Sequence, residues 1–249
     1  MNNGYVFVTN RNPNFLKLLD IAVCSVLAFS DKKIEIFGIN FDYQERIDDR
    51  ILVKRLNLPV ENFNNICMSK LSSIINCSFD GGIYLDADTI INRETDVLFS
   101  ILDRIVDLPI LPEHEGSKIA VNDHNLLNLM KFFGVKHPTQ PYVHADTIIF
   151  NHKCKMFFKQ CIEMSDLLIK NGGQHFAGDE GIVNINLWKN KAKDCYIDLC
   201  DPNYQYFENK LGLIRGQVID WDYFVCHGCK DIGRANRILE ELKKRDGTI

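Results

Sequence analysis

The chain has 249 residues, 46% of them apolar, with 25% charged residues and a formal net charge of −4. That apolar fraction supports a sizeable core, the length suits one large domain, and the acidic balance (pI near 6.0) argues against a general nucleic-acid binder. No apolar run approaches the length of a membrane span, and nine cysteines scattered without framework spacing point to reduced thiols and a cytoplasmic location.

Met1-Asn2-Asn3-Gly4 leads straight into the β-rich run Tyr5-Val6-Phe7-Val8, so no signal peptide is expected. The polar stretch Thr9-Asn10-Arg11-Asn12-Pro13 follows, and a loop after a first strand is a natural place for ligand contacts in an open α/β sheet. A helix is expected from Asn14 as cap, with Phe15, Leu18, Leu19, Ala22, Val23, Val26 and Leu27 on one broad face. Ile34–Ile39 reads as a second strand, and the alternation of strand, helix and strand points to a parallel sheet. Asp42–Leu56 is rich in charge and is expected to include a solvated helix. Ser69–Cys77 reads as a short helix that sets Lys70 just ahead of the next strand.

Gly81-Gly82-Ile83-Tyr84-Leu85-Asp86-Ala87-Asp88-Thr89-Ile90-Ile91 is the most informative stretch. Ile83, Tyr84 and Leu85 form a short apolar run, two carboxylates one residue apart follow, and a second apolar pair closes the segment. Acids at the end of a buried strand are expensive unless a cation meets them. Carboxylates suit Mg²⁺ or Mn²⁺, which in turn hold phosphate oxygens, so the segment suggests a metal–diphosphate site. The competing reading is an ordinary Asp-rich surface turn, which would not need burial on both sides.

Thr95 is expected to cap a helix running to about Ile105, and Pro109–Pro112 to be extended. Glu113–Lys118 reads as a loop, Asn122–Phe133 as a helix closed by Gly134, and Val135–Tyr142 as irregular. Thr147–Phe150 is a buried strand led by the polar set His144-Ala145-Asp146. Lys153–Asn171 is a long helix, and Gly178-Asp179-Glu180 opens another that runs to about Trp188. Tyr196–Leu199 and Tyr223–Val225 read as strands and Ile232–Arg245 as a polar helix, with no linker dividing the chain.

Asp179 and Glu180 at a helix start are favourable on dipole grounds alone, and one of them could instead face a pocket as a general base. His227, after the run Phe224-Val225-Cys226, suits either a structural hydrogen bond or an oxygen-rich metal site. Cys226 and Cys229 form a C-x-x-C without the context of a redox pair or a second zinc-ligand pair. The common phosphate cradles G-x-x-x-x-G-K-[ST] and G-x-G-x-x-G are missing from the sequence.

The order of these motifs, Ser69-Lys70-Leu71 and then Gly82-Ile83-Tyr84-Leu85-Asp86-Ala87-Asp88-Thr89, resembles the core of nucleotide-sugar glycosyltransferases of GT-A fold. It is most similar to the glycogenin/galactosyltransferase-like family, family 8. The resemblance spans Tyr5 to Lys230 and implies an α/β architecture, a Rossmann-like mixed central sheet flanked by helices in a single domain. Its nucleotide-binding part would be about 1–95 and its acceptor side about 96–249. Thr9, Asn10, Arg11, Lys70, Asp86, Ala87 and Asp88 would hold the nucleotide, with Lys70 or Arg11 on the phosphates. Asp86, Asp88 and His227 would bind Mn²⁺ or Mg²⁺, and His144, Ala145 and Asp146 would stand at the sugar. The donor would be a nucleoside-diphosphate sugar, UDP-linked by resemblance, and the acceptor a glycan or glycoprotein. His144-Ala145-Asp146 departs from the family's Asn-Ala-Gly, Gly178-Asp179-Glu180-Gly181 matches its Asp-Gln-Asp in part, and Cys226-His227-Gly228-Cys229-Lys230 lacks its Pro-Trp. The loss of Asn-Ala-Gly favours an inverting transfer with Asp179 or Glu180 as base.

Two other functions share these residues. Haloacid-dehalogenase-like phosphatases place Asp-x-Asp-x-Thr after a buried strand, with Asp86 then the nucleophile, although a long α/β stretch precedes the motif here. A non-catalytic module binding nucleotide sugars or glycans would use the same fold.

Overall fold

Tyr5, Val6 and Phe7 are fully buried, and so are Ile83 and Leu85, as continuous apolar strands at the centre of a sheet covered on both faces must be. The computed structural model describes residues 2–43, 48–59, 63–113, 122–176, 178–197, 206–207, 225–227 and 230–247. The chain runs β1 (Asn3–Thr9), α1 (Pro13–Phe29), β2 (Lys33–Ile39), β3 (Ile51–Leu56), α2 (Phe63–Asn76), β4 (Gly81–Leu85) and β5 (Ile90–Ile91). A 3₁₀ helix, Arg93–Arg104, leads to β6 (Leu111–Pro112), α3 (His124–Phe132), β7 (Thr147–Asn151), α4 (Lys155–Lys170) and α5 (Asp179–Lys189). The strands β8 (Tyr196–Ile197), β9 (Tyr206–Phe207) and β10 (Val225–His227) precede α6 (Ile232–Arg245).

The central sheet has the order β3-β2-β1-β4-β7 among the described residues. β1 is parallel to β2 and β4, β2 is parallel to β3, and β7 runs antiparallel to β4. The sheet is therefore mixed, with helices packed against it. Gly82 lies at a tight point of the sheet. A Cβ there would come 2.7 Å from the Gly4 carbonyl oxygen and 2.9 Å from the Phe150 ring, so only glycine lets β4 sit between its neighbours. Each large side chain buried in this core contributes about 1.5–3 kcal/mol relative to exposure.

Local departures from the sequence reading have plain causes. Asn12, not Asn14, caps α1: its side chain accepts from Asn14 N at 2.9 Å, and Pro13 supplies a first helical residue with no N–H to satisfy. The expected helix within Asp42–Leu56 is replaced, over Ile51–Leu56, by β3 at the sheet edge. Lys54 and Arg55 make that strand look solvated, yet Lys54 Nζ reaches 3.1 Å from Oε2 of Glu35, itself buried in β2. The helix expected from Thr95 is 3₁₀ and begins at Arg93, with Thr95 Oγ1 accepting from Asn92 N at 3.1 Å. Asp123 caps α3, and Gly134 beyond its end has φ +71°. The loop reading of Glu113–Lys118 falls, after Glu113, outside the described residues.

A second apolar cluster joins Ala235, Ile238 and Leu239 of α6 to Leu18, Ile21 and Phe29 of α1 and to Ile90. The last helix thus packs on the strand that follows the Asp-x-Asp segment. No helix among the described residues is long and apolar enough to cross a membrane.

Candidate functional site

β4 ends at Leu85, and the chain turns through Asp86, Ala87 and Asp88 into β5. Asp86 N still donates to Asp146 O (3.0 Å), and Thr89 N donates back to Asp86 O (3.2 Å). Ala87, Asp88 and Thr89 are all buried. The turn is therefore an interior one, which removes the surface-turn reading of this segment.

Asp86 is held from two sides. Tyr84 OH donates to Oδ1 at 2.8 Å, because residues 84 and 86 point to the same side of the strand. Lys70 of α2 brings Nζ to 3.2 Å from Oδ1 and 3.5 Å from Oδ2. The same ammonium donates to Ala145 O at 2.8 Å and lies 3.0 Å from Oδ2 of Asp179. The ammonium thus lies among two acids and one carbonyl. Burial alone would lower the Lys70 pKa, but Asp179 and Asp86 outweigh it and keep the ammonium charged well beyond its ordinary range. The two acids share that one positive charge. Asp179, the more buried of them, has its carboxyl raised to about 7 by burial, offset in part by Lys70 and reinforced by Asp86 and Glu180.

Asp179 begins α5, and the helix start is fixed by Gly178, whose φ of 61° and ψ of −126° belong to glycine. Glu180, next on the helix, accepts from Ala145 N at 3.3 Å, and the same oxygen lies 3.1 Å from Nδ1 of His144. Burial, followed by the Glu180 charge, pushes the pKa of the Tyr142 phenol far up. Asn184, one turn along, clips Val143 on both sides: Oδ1 accepts from Val143 N and Nδ2 donates to Val143 O, each at 2.8 Å. The segment from Tyr142 to Asp146 is thereby stapled to α5. His144 Nδ1 lies 4.0 Å from Oδ2 of Asp146, and both side chains are buried.

The other sequence-predicted residues divide. Thr9, Asn10 and Arg11 leave the carboxyl end of β1, on the same sheet edge as Asp86, since β1 and β4 are parallel with Val6 beside Tyr84. Arg11 rests over the Phe41 ring (5.7 Å to its centroid) and donates to Asn40 O at 3.4 Å. His227 ends β10, which pairs antiparallel with β5 so that Cys226 lies beside Ile90 and the next residue runs toward Thr89. Its backbone therefore approaches the Asp-x-Asp turn. The side chains of His227 and Cys226, and all of Cys229, lie outside the described residues. Among the described residues no three metal-binding side chains form a group.

The sequence reading missed Tyr84, Tyr142 and Asn184. The i,i+2 spacing of Tyr84 and Asp86 signals the first, and a lone Asn inside the apolar run Ile182-Val183-Asn184-Ile185 signals the last. Tyr142 gives no local signal.

No protein-family model and no curated protein matches the sequence. Among solved structures the chain is similar to galactosyltransferase LgtC in complex with donor and acceptor sugar analogues, with a TM-score of 0.63 and 15% identity over 99% of this chain and 100% of that one. An active-site mutant of LgtC matches with a TM-score of 0.63 and 15% identity, over 97% and 95% of the two chains. The chain has the GT-A fold of these proteins.

Proposed function

We propose that this protein is a metal-dependent glycosyltransferase that moves a sugar from a nucleoside-diphosphate sugar, UDP-linked by resemblance, to a hydroxyl of a glycan or glycoprotein. The observation that carries the reading is the Asp86-Ala87-Asp88 turn at the carboxyl end of β4, with Ala87 and Asp88 buried, facing the acidic start of α5 across Lys70. In open α/β sheets that edge is where ligands bind. The GT-A fold supports the same reading, since the solved LgtC complex holds donor and acceptor sugar analogues.

The donor set fits a divalent ion. Asp86 and Asp88 offer hard carboxylate oxygens, and Oδ2 of Asp86 keeps room to accept, its contact with Lys70 being 3.5 Å. His227 ends the strand paired to β5 and completes the set in this proposal. Mn²⁺ or Mg²⁺ bound there would neutralise charge developing on the leaving diphosphate. Thr9, Asn10 and Arg11 contact the nucleoside, and His144, Ala145 and Asp146 stand at the sugar. The nucleotide part, about 1–95, and the acceptor part, about 96–249, form one domain in this reading.

For inverting transfer, Asp179 is the base that deprotonates the acceptor hydroxyl. A carboxyl held near 7 is matched to that task. Glu180 is the poorer choice because its hydrogen bonds to Ala145 N and His144 hold it as a brace. Lys70 then acts on the acids rather than on the phosphates. The phosphatase reading, with Asp86 as nucleophile, fits less well: a long α/β stretch precedes the motif, and the chain has the GT-A fold.

Turnover with Mn²⁺ and a panel of nucleotide sugars tests the proposal. Release of nucleoside diphosphate supports transfer. Release of inorganic phosphate from phosphate esters would replace it with hydrolysis, and binding without product would leave a recognition module.

A further inference from the structure

His175 stands between α4 and the start of α5, and nothing in the proposed chemistry uses it. Its Nδ1 lies 3.0 Å from Gly178 O, and its Nε2 lies 3.0 Å from Ser165 Oγ. Gly178 O can only accept, so Nδ1 must carry a proton. In the neutral ring Nε2 then has none, and it accepts from the Ser165 hydroxyl. Ser165 is buried in α4 and is fixed by its helix. The result is a one-way relay, Ser165 hydroxyl to imidazole to Gly178 carbonyl.

The carbonyl at its end belongs to the residue that sets the direction of α5. Gly178 is the N-cap residue and has no side chain to bond the helix start. Its φ of 61° and ψ of −126° are open to glycine, and glycine by itself is also free to leave them. A tie from outside the turn is therefore needed to hold it. The next two residues are Asp179, 3.0 Å from Lys70, and Glu180, 3.1 Å from His144. A rotation of the 178–179 peptide would move both.

We infer that His175, anchored by Ser165, is a positioning residue that fixes the Gly178 carbonyl and so sets the Asp179 and Glu180 carboxylates for transfer. The catalytic part of this inference rests on the proposed function; the structural part does not. Misplacement of a reacting group by about 1 Å can cost on the order of a hundredfold in rate. Such a loss falls on kcat, because the donor is still bound by the β4 side of the site.

The full chain labelled with ¹⁵N-histidine, and separately at its backbone amides, tests it together with His175→Ala, His175→Asn and Ser165→Ala. The wild type should show His175 protonated on Nδ1 rather than on Nε2. Ser165→Ala should weaken that preference. In His175→Ala the Asp179 and Glu180 amide resonances should shift or broaden, and kcat should fall by about tenfold to a hundredfold with donor KM changed less than about twofold. His175→Asn keeps an N–H near the Nδ1 position and should restore both readouts in large part. An Nε2-protonated ring in the wild type would overturn the inference, as would unmoved Asp179 and Glu180 amides in a folded His175→Ala. If no donor is turned over, the proposed function fails, while the tautomer and amide measurements still decide whether His175 positions the turn.

Discussion

Lys70 Nζ and Asp179 Oδ2 lie 3.0 Å apart, joining the middle of α2 to the first residue of α5. The same ammonium reaches Asp86 at 3.2 Å, so one positive charge serves both the strand-end acid and the helix-start acid. The acidic edge of the sheet is stable because this cation is buried with it. Removing Lys70 leaves both acids without their counter-charge in an interior where that is costly.

Lys70→Met keeps most of the side-chain volume and removes the charge. It should destabilise the protein by about 3 kcal/mol in urea unfolding, the scale for breaking a buried pair. Adding Asp179→Asn to that variant should recover part of the loss, because the orphaned carboxylate is then gone. A loss under about 0.5 kcal/mol would mean that solvent, not Lys70, compensates the acids.

The pH dependence follows from Asp179. Its folded pKa of about 7 lies above the ordinary 3.8, so the native state binds this proton more readily than the unfolded chain. The stability it contributes is fully present below pH 3.8, falls as pH rises toward 7, and is flat beyond. The difference in unfolding free energy between wild type and Asp179→Asn should therefore decline across that window. A level difference from pH 4 to 7 would contradict the raised value. As a base, the same group predicts turnover that rises with pH through about 7.

The carboxylate roles separate by substitution. Asp179→Asn should slow turnover by roughly a hundredfold or more with donor affinity nearly unchanged. Glu180→Gln should keep that affinity and lose less rate, because its part is to hold Ala145 N and His144. A dead Glu180→Gln beside an active Asp179→Asn would move the base one residue along. Normal rates in both, with a retained anomeric configuration in the product, would exclude inversion.

What the sequence made legible was local. Ile83-Tyr84-Leu85 followed by two acids marked β4 and its turn, and the polar helix read over Ile232–Arg245 is α6 as found. β3 was illegible because an edge strand carries charges outward, and Lys54 answers a Glu35 that sits on a different strand. The site's cohesion was illegible for a related reason. Lys70 meets Asp179, and Asn184 clips Val143, only once the sheet has brought distant segments together. No window of sequence contains both partners. The chemistry of the acids could be read from their order, while their hydrogen-bonded state needed the fold.

Gly178→Ala tests the helix start. The new Cβ would lie 3.0 Å from Cys67 Sγ, and φ of +61° is strained for any L side chain. We expect a loss of about 1–3 kcal/mol in urea unfolding and slower turnover as Asp179 shifts. Unchanged stability would show that the turn relaxes without cost.

The central claim, a metal–diphosphate site on the Asp86-Ala87-Asp88 turn, is tested most directly by titration calorimetry of UDP with and without Mn²⁺, on the wild type and Asp88→Ala. The account predicts binding that depends on Mn²⁺ in the wild type and is lost in Asp88→Ala, with the unfolding midpoint of the variant near that of the wild type. Mn²⁺-dependent affinity undiminished in Asp88→Ala, or wild-type binding indifferent to the metal, would contradict it.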